Sequence, residues 1–361
     1  MKTGLFLKLI SILIFIPLCS KAENKKIQFD IDYTTELQYN FENKYNWVNL
    51  LSLELDINVW KNGSFNLQTI STYKTSKKRI INDLQVFSNI EAPNMWVNLY
   101  LAGYTHTFDS ITLFGGIRNV NRDYFTGEYT AIFTNSSCGF YPTASANFPL
   151  PNYPFSAMCL HSEFRFPNKI KLKNSIYNGM GRQILQSGSF FSVNPSRDGV
   201  LDIFELSYAP KSKYYGFYSV GGVLGIGNDN NIKNSFSGQK YKNANYALWG
   251  NIEQSVFKTN KSKREVGFIL QGSFALESQN NCINYVGAGA ILTGFVSPKK
   301  RDYLCFFINR AAYHGIAEIA TEFTWQYAIT PSITIQPVFD YILTGKEQHV
   351  VALLRMCIEL N

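Results

Sequence analysis

Within a single heptad the chain brings together two guanidinium groups, an amide, a carboxylate and a phenol: Arg118, Asn121, Arg122, Asp123 and Tyr124. That set suits non-covalent handling of polar molecules. Amides and charged groups exchange hydrogen bonds with hydroxyls, aromatic faces let a ring slide past, and fixed charge at a narrow point sorts by charge. A salt-bridged loop anchor would use the same residues, and both readings stand. His161, Glu163 and Arg165 alternate with Ser162 and Phe164, so the three share a face if the segment is a strand. Glu318 and Glu322 share a face, as do Arg355 and Glu359. Opposed rows of carboxylate and guanidinium would set a field across the space between them. Structural pairing is the competing reading, and the stronger one for Arg355.

Covalent chemistry finds less support. The chain has four histidines, His106, His161, His314 and His349, and no G-x-S-x-G. His161 and Ser162 are sequence neighbours, which puts them on opposite faces of a strand, out of reach as base and nucleophile. Six cysteines carry neither C-x-x-C nor Cys/His ligand spacing, so no metal and no cofactor are expected. In an oxidising compartment one disulfide could form, with Cys138 and Cys159 the least remote pair, although spacing alone fixes no geometry.

The elements that would hold these residues are strands. Ile27, Phe29, Ile31, Tyr33, Leu37, Tyr39 and Phe41 alternate with Gln28, Asp30, Asp32, Thr34, Glu36, Gln38 and Asn40. The acidic groups on the second face exclude a dry core there. Leu51, Leu53, Leu55, Ile57 and Val59 oppose Ser52, Glu54, Asp56 and Asn58, and Lys61-Asn62-Gly63 then marks a hairpin turn. At the other end of the chain, Phe323, Phe339, Tyr341, Leu354 and Ile358 fall on apolar faces opposite Glu322, Asp340 and Arg355. Runs near 64–73, 95–106, 111–118, 156–166, 169–177, 200–208, 214–226, 246–257, 266–276, 283–295 and 302–311 bring the total to about sixteen. A barrel of that size leaves an aqueous channel, whereas about eight strands leave an interior that side chains fill. From 120 to 155 the alternation fails. This stretch holds Pro142, Pro149, Pro151 and Pro154 among many amides and aromatics. A loop so long is functional or disordered, and its aromatic load argues for order.

Period-two patterning fits a soluble sheet as well as a membrane barrel, and the N-terminus separates the two. Lys2 and Lys8 flank an apolar run over 9–18, followed by Ser20-Lys21-Ala22. This reads as an export leader over 1–22 with cleavage after Ala22, leaving 23–361 as the mature domain. The apolar run is far below the ~18 residues of a spanning helix. An exported chain without spanning helices enters a membrane only as a closed barrel. The 28 Phe, 22 Tyr and 5 Trp suit the aromatic girdles of such barrels. The formal charge of +8 is reduced by loss of the leader's lysines. The remaining basic residues are scattered or lie in stretches such as Lys74-Thr75-Ser76-Lys77-Lys78-Arg79, which reads as a solvated loop rather than a nucleic-acid surface.

Gly116-Ile117-Arg118-Asn119-Val120-Asn121-Arg122-Asp123-Tyr124-Phe125, Asn135-Ser136-Ser137-Cys138-Gly139-Phe140, Phe204-Glu205-Leu206-Ser207-Tyr208, Glu318-x3-Glu322 and Ile335-Gln336-Pro337-x3-Tyr341 follow one another in an order that resembles the carbohydrate-selective porins, the OprB-like family. The likeness covers most of the chain, which is short for that family. It implies an all-β fold: one antiparallel transmembrane barrel of sixteen strands with an inward-folded constriction loop. It adds Asn135 and Glu205 to the candidate pore residues Arg118, Asn121, Arg122, Asp123, Tyr124, Glu163, Arg165, Glu318, Glu322 and Arg355. It implies passive diffusion of small polar solutes, carbohydrates first, with other solutes such as basic amino acids as the alternative. The implied partners are outer-membrane lipid, the solute and, during biogenesis, the barrel assembly machinery. The location is the outer membrane of a Gram-negative bacterium. Two readings from other classes remain, a barrel-wall hydrolase and a β-rich surface adhesin. The adhesin would need the dry core that the acidic face of the first strand denies.

Overall fold

The computed structural model describes residues 26–125, 127–179, 191–227, 244–259, 264–277, 280–297 and 302–360. The leader expected over 1–22 lies outside the described residues. Sixteen strands follow in chain order: β1 (Ile27–Tyr39), β2 (Tyr45–Trp60), β3 (Gly63–Lys74), β4 (Met95–Thr107), β5 (Ile111–Arg118), β6 (Ala157–Arg165), β7 (Ile170–Asn178), β8 (Val200–Tyr208), β9 (Gly216–Ile226), β10 (Ala244–Lys258), β11 (Glu265–Ala275), β12 (Cys282–Thr293), β13 (Tyr303–Tyr313), β14 (Ile316–Thr330), β15 (Ile333–Thr344) and β16 (Glu347–Leu360). Each pairs with its sequence neighbours, and β1 pairs with β16 to close the barrel. The expected all-β barrel of about sixteen strands is the observed one.

The alternation sets which face is which. Leu160, Val220, Leu270, Val286, Phe323 and Leu354 point outward and stay exposed, Leu160 by 68%. A water-soluble domain does not leave apolar surface on this scale uncovered; in a membrane, lipid covers it. Aromatic rings gather at both rims, as girdles do. Trp60, Phe65 and Tyr104 meet at one, with centroids 5.6 and 5.3 Å apart. Tyr39, Phe41 and Phe339 meet at the other. The first rim carries short connections such as 61–62, 108–110 and 331–332, and the second carries the 75–94 and 119–156 loops. Short turns mark the periplasmic end and long loops the external end. The one-turn connection at 345–346 is made by Gly345 at φ 62°, a backbone region that glycine enters without steric cost.

The hydrophobic core lies between the wall and two loops that fold back inside. Tyr124, Tyr141, Phe148 and Leu150 of the 119–156 loop pack on Leu201, Ile203, Val223, Trp249 and Tyr285. Tyr129, Ile132 and Phe133 of the same loop cover Ile269, Ile291 and Phe307. Each such side chain withdraws about 1.5–3 kcal/mol worth of apolar surface from water, which explains an ordered loop with so little regular structure. The 75–94 loop also turns inward, with Ile80, Ile81 and Phe87 packed on Val338, Ile342, Val351 and Leu353. This differs from the solvated loop expected from its basic stretch. Lys77 and Lys78 are exposed, but Lys74 pairs with Glu91 at 2.8 Å and Arg79 pairs with Asp83. The unread signal was the Ile80-Ile81 and Phe87 apolar set that follows. The cysteines Cys138, Cys159, Cys282, Cys305 and Cys357 are all free, Cys138 and Cys159 included.

Candidate functional site

The heptad at the mouth of the 119–156 loop forms one ionic knot. Arg118 grips Asp123 with two hydrogen bonds of 2.6 Å. Between them a 3-10 turn, Val120–Arg122, is capped by Asn119, whose side chain accepts from the Asn121 N–H. The turn sends Arg122 across to the wall, where it donates to Gln68 Oε1 at 2.8 Å and pairs with Glu54. Lys173 donates to the Asp123 carbonyl and lies 3.6 Å from Glu205. Burial alone would raise the Asp123 carboxyl, but the hydrogen bonds and charge of Arg118, with His161 and Lys173, hold it below the usual carboxylate value.

Behind the knot, His161 Nδ1 and Ser175 Oγ are 2.7 Å apart, and His161 Nε2 is 3.9 Å from Asp123 Oδ1. The order Ser, His, Asp echoes a nucleophile relay. However, Ser175 is fully covered and its hydroxyl is shared with Tyr124 Oη at 2.7 Å. A nucleophile without access to solute makes no acyl intermediate, so the trio works as a strut under Tyr124.

Besides Tyr124, which is buried in the core, five of the sequence candidates are placed otherwise than in contact with solute. Glu205 accepts from the Phe125 N–H at 3.3 Å. Glu318 accepts from the Leu84 and Gln85 N–H groups, both at 2.7 Å. Glu322 accepts from the Thr134 and Asn135 N–H groups at 2.9 and 2.8 Å. Asn135 is a cap, its Oδ1 accepting from the Ser137 N–H. Arg355 donates to Glu36 at 2.8 Å and to Asn89 at 2.6 Å. The four wall residues, Glu205, Glu318, Glu322 and Arg355, lie under the two inward loops, and Asn135 is buried within one of them. The faces were read correctly, but the loops, which alternation does not describe, cover those faces. The expected transverse rows at Glu318, Glu322 and Arg355 are therefore not open to the lumen.

The most accessible groups around the knot lie on the arc from β16 through β1 to β7. Arg122 keeps part of its guanidinium open, and Asn121 and Tyr153 are half-buried beside it. The Tyr100 and Tyr153 rings meet edge to face with centroids 6.5 Å apart. Glu163 pairs with Arg165 at 3.0 Å and approaches Lys171 at 3.7 Å, with Arg165 also donating to Thr112. On β1, β2 and β16 an acidic ladder faces inward, with Asp32 opposite Glu359 and Asp30 opposite Glu54 in register. Like charges directly opposed disfavour pairing, and the Arg122 guanidinium paired with Glu54 offsets this at one rung. These acids were legible as an inward face in the sequence. Their union across the closing seam was not, because it joins the two ends of the chain.

A closed sixteen-stranded barrel, apolar outside and narrowed by loops folded into a charged lumen, is the architecture of an outer-membrane porin. A family model described as carbohydrate-selective porin, OprB family, matches residues 41–349. The fold is similar to the high-pH structure of Pseudomonas putida OprB, with TM-score 0.74 and 16% identity over 92% of this chain and 94% of that one. It is also similar to a loop L8 deletion mutant of OmpT, an outer membrane protein of Vibrio cholerae (TM-score 0.59, 8% identity, 92% and 98% covered). An anion-selective porin from Comamonas acidovorans gives TM-score 0.57 and 7% identity over 92% and 99%. A search of curated protein sequences finds no match. The chain belongs to the carbohydrate-selective porin family, OprB, and is an outer-membrane porin for small solutes.

Proposed function

We propose that this protein passes small polar solutes, carbohydrates foremost, down their gradients through a narrowed aqueous lumen, without chemistry or cofactor. One observation carries the reading: a folded loop inside the barrel presents Arg122 and Asn121 beside the Tyr100–Tyr153 ring pair, opposite acid-lined wall. Aromatic faces with amide and charged groups are the chemistry that exchanges hydrogen bonds with a sugar ring. Residues 1–22 direct export and are removed, and the barrel assembly machinery inserts residues 23–361 among outer-membrane lipids.

The acidic ladder of Asp30, Asp32, Glu54 and Glu359 favours a second reading, in which cationic solutes such as basic amino acids pass best. Liposome swelling with a panel of monosaccharides, disaccharides and lysine separates the two. Faster swelling in monosaccharides than in lysine supports the sugar channel, and the reverse order supports the cationic one. Purified protein in a planar bilayer gives discrete conductance steps on either reading, and their absence across several lipids overturns both.

A further inference from the structure

We infer that Glu253 on β10 is the residue that positions the tip of the 119–156 loop and so sets the width of the pore. The inference rests on the channel reading above. Glu253 is fully buried on the inner wall and belongs to none of the motifs singled out in the sequence. Its carboxylate accepts from two consecutive loop amides, Tyr129 N–H at 2.9 Å and Thr130 N–H at 3.0 Å. The Thr130 hydroxyl donates at 2.7 Å, the Tyr215 hydroxyl at 2.8 Å and Asn251 Nδ2 at 3.3 Å. No cation stands within ion-pair distance of it among the described residues. The donors are thus what compensates a buried charge, and the loop supplies three of the five. Charge-assisted bonds of this kind are about twice as strong as neutral ones.

The neighbouring backbone gives independent support. A Cβ placed on Gly127 would lie 2.4 Å from the Glu253 carboxylate. The loop chain therefore passes against the carboxylate so closely that a Cβ there would have to push the Glu253 carboxylate off its donors. One turn on, the Tyr129 ring packs over Gly267, where a Cβ would lie 2.3 Å from it, and its hydroxyl donates to Glu265 at 2.7 Å. The loop tip is thus fixed in three directions: along the amides by Glu253, laterally by Gly127, and towards the periplasmic rim by Tyr129. Glu205, Glu318 and Glu322 use the same carboxylate-to-amide device further along. Glu253 differs in gripping the loop where it turns, next to Ala131, which is exposed.

Single-channel recording tests the inference. Glu253→Gln replaces one acceptor oxygen with an NH2 group that opposes an N–H donor. It should lose the single steady level, show sub-conductance steps, and admit larger sugars in liposome swelling. The unboiled protein should still migrate as a folded barrel. Gly127→Ala should give the same traces. It should add nothing in a Glu253→Ala background, because the carboxylate it collides with is gone. Thr130→Val, which removes one donor to Glu253 and the acceptor of the Gly127 N–H while keeping both loop amides on the carboxylate, should give a weaker change in the same direction. Steady wild-type conductance and an unchanged cut-off in folded Glu253→Gln overturn the inference, as does full additivity of Gly127→Ala and Glu253→Ala. If Glu253→Gln does not fold, Thr130→Val decides by the same readouts. Wild-type protein without any conductance steps would instead overturn the channel reading.

Discussion

Arg122 shows how one residue serves both fold and site. Its guanidinium ties the loop to β2 and β3 through Glu54 and Gln68, yet a third of it stays open to the lumen. A partly exposed pair of this kind contributes about 0–1 kcal/mol after solvent screening, so its loss should not unfold the barrel. Its electrostatic effect is larger, because it is the cation nearest the Asp30–Glu54 rung of the acidic ladder. Arg122→Gln should shift the reversal potential in a salt gradient towards cation preference, with the heat-modified gel shift unchanged. No shift in reversal potential would remove Arg122 from the filter. Sequence reasoning found this residue because its type and company point to charge sorting. It could not separate Arg122 from Glu322, whose type is just as suggestive. The difference lies in cover: an amide pair from the loop closes over one and not the other.

At the scale of elements, the strands were legible in number and order, with ends placed to within a few residues. Two-faced packing forces a period that the sequence must display. The inward loops were legible only in part. The 119–156 loop showed itself by its length and aromatic load, the 75–94 loop hardly at all, since loops bury side chains without a period. The longer loop narrows the lumen. Deleting 130–149 should raise conductance and admit larger sugars while the barrel still folds, and unchanged conductance would make the loop a filler only. The shorter loop carries a titratable anchor. Burial raises the Asp83 carboxyl to about 6, against the pull of Arg79 and with the help of Glu318. A carboxyl raised in the folded state favours docking in full below its unfolded value, and that contribution is lost as pH rises through about 6. Amide hydrogen exchange in 80–90, corrected for intrinsic rates, should show weaker protection at pH 7 than at pH 4. Asp83→Asn should flatten that difference, and a pH-independent wild-type profile would rule the anchor out.

The whole molecule is in large part an inversion of a soluble protein, with apolar side chains facing outward along the wall and charged groups and two loops, the latter packed on small apolar clusters, inside. That inversion is open to chemical mapping. Single cysteines in a cysteine-free background should react with a small charged thiol reagent at Asp32 and Glu54. They should resist it at Phe323 and Leu354, which face lipid, and at Glu322, which faces inward under the loop. Labelling at Phe323 would place that strand in the opposite register. The barrel closes where β1 meets β16, and there Glu36 stands opposite Arg355, the buried ion pair joining residues from the two ends of the chain. This contact spans nearly the full sequence, so it forms only when the last strand has been made. A slip of one residue of β16 at that seam would turn Arg355 outward into lipid, where an arginine costs about 2–4 kcal/mol at mid-depth, and would leave Glu36 inside without its partner. The pair therefore acts as a proofreader of closure: it penalises the wrong final pairing at the step when no later strand remains to correct it.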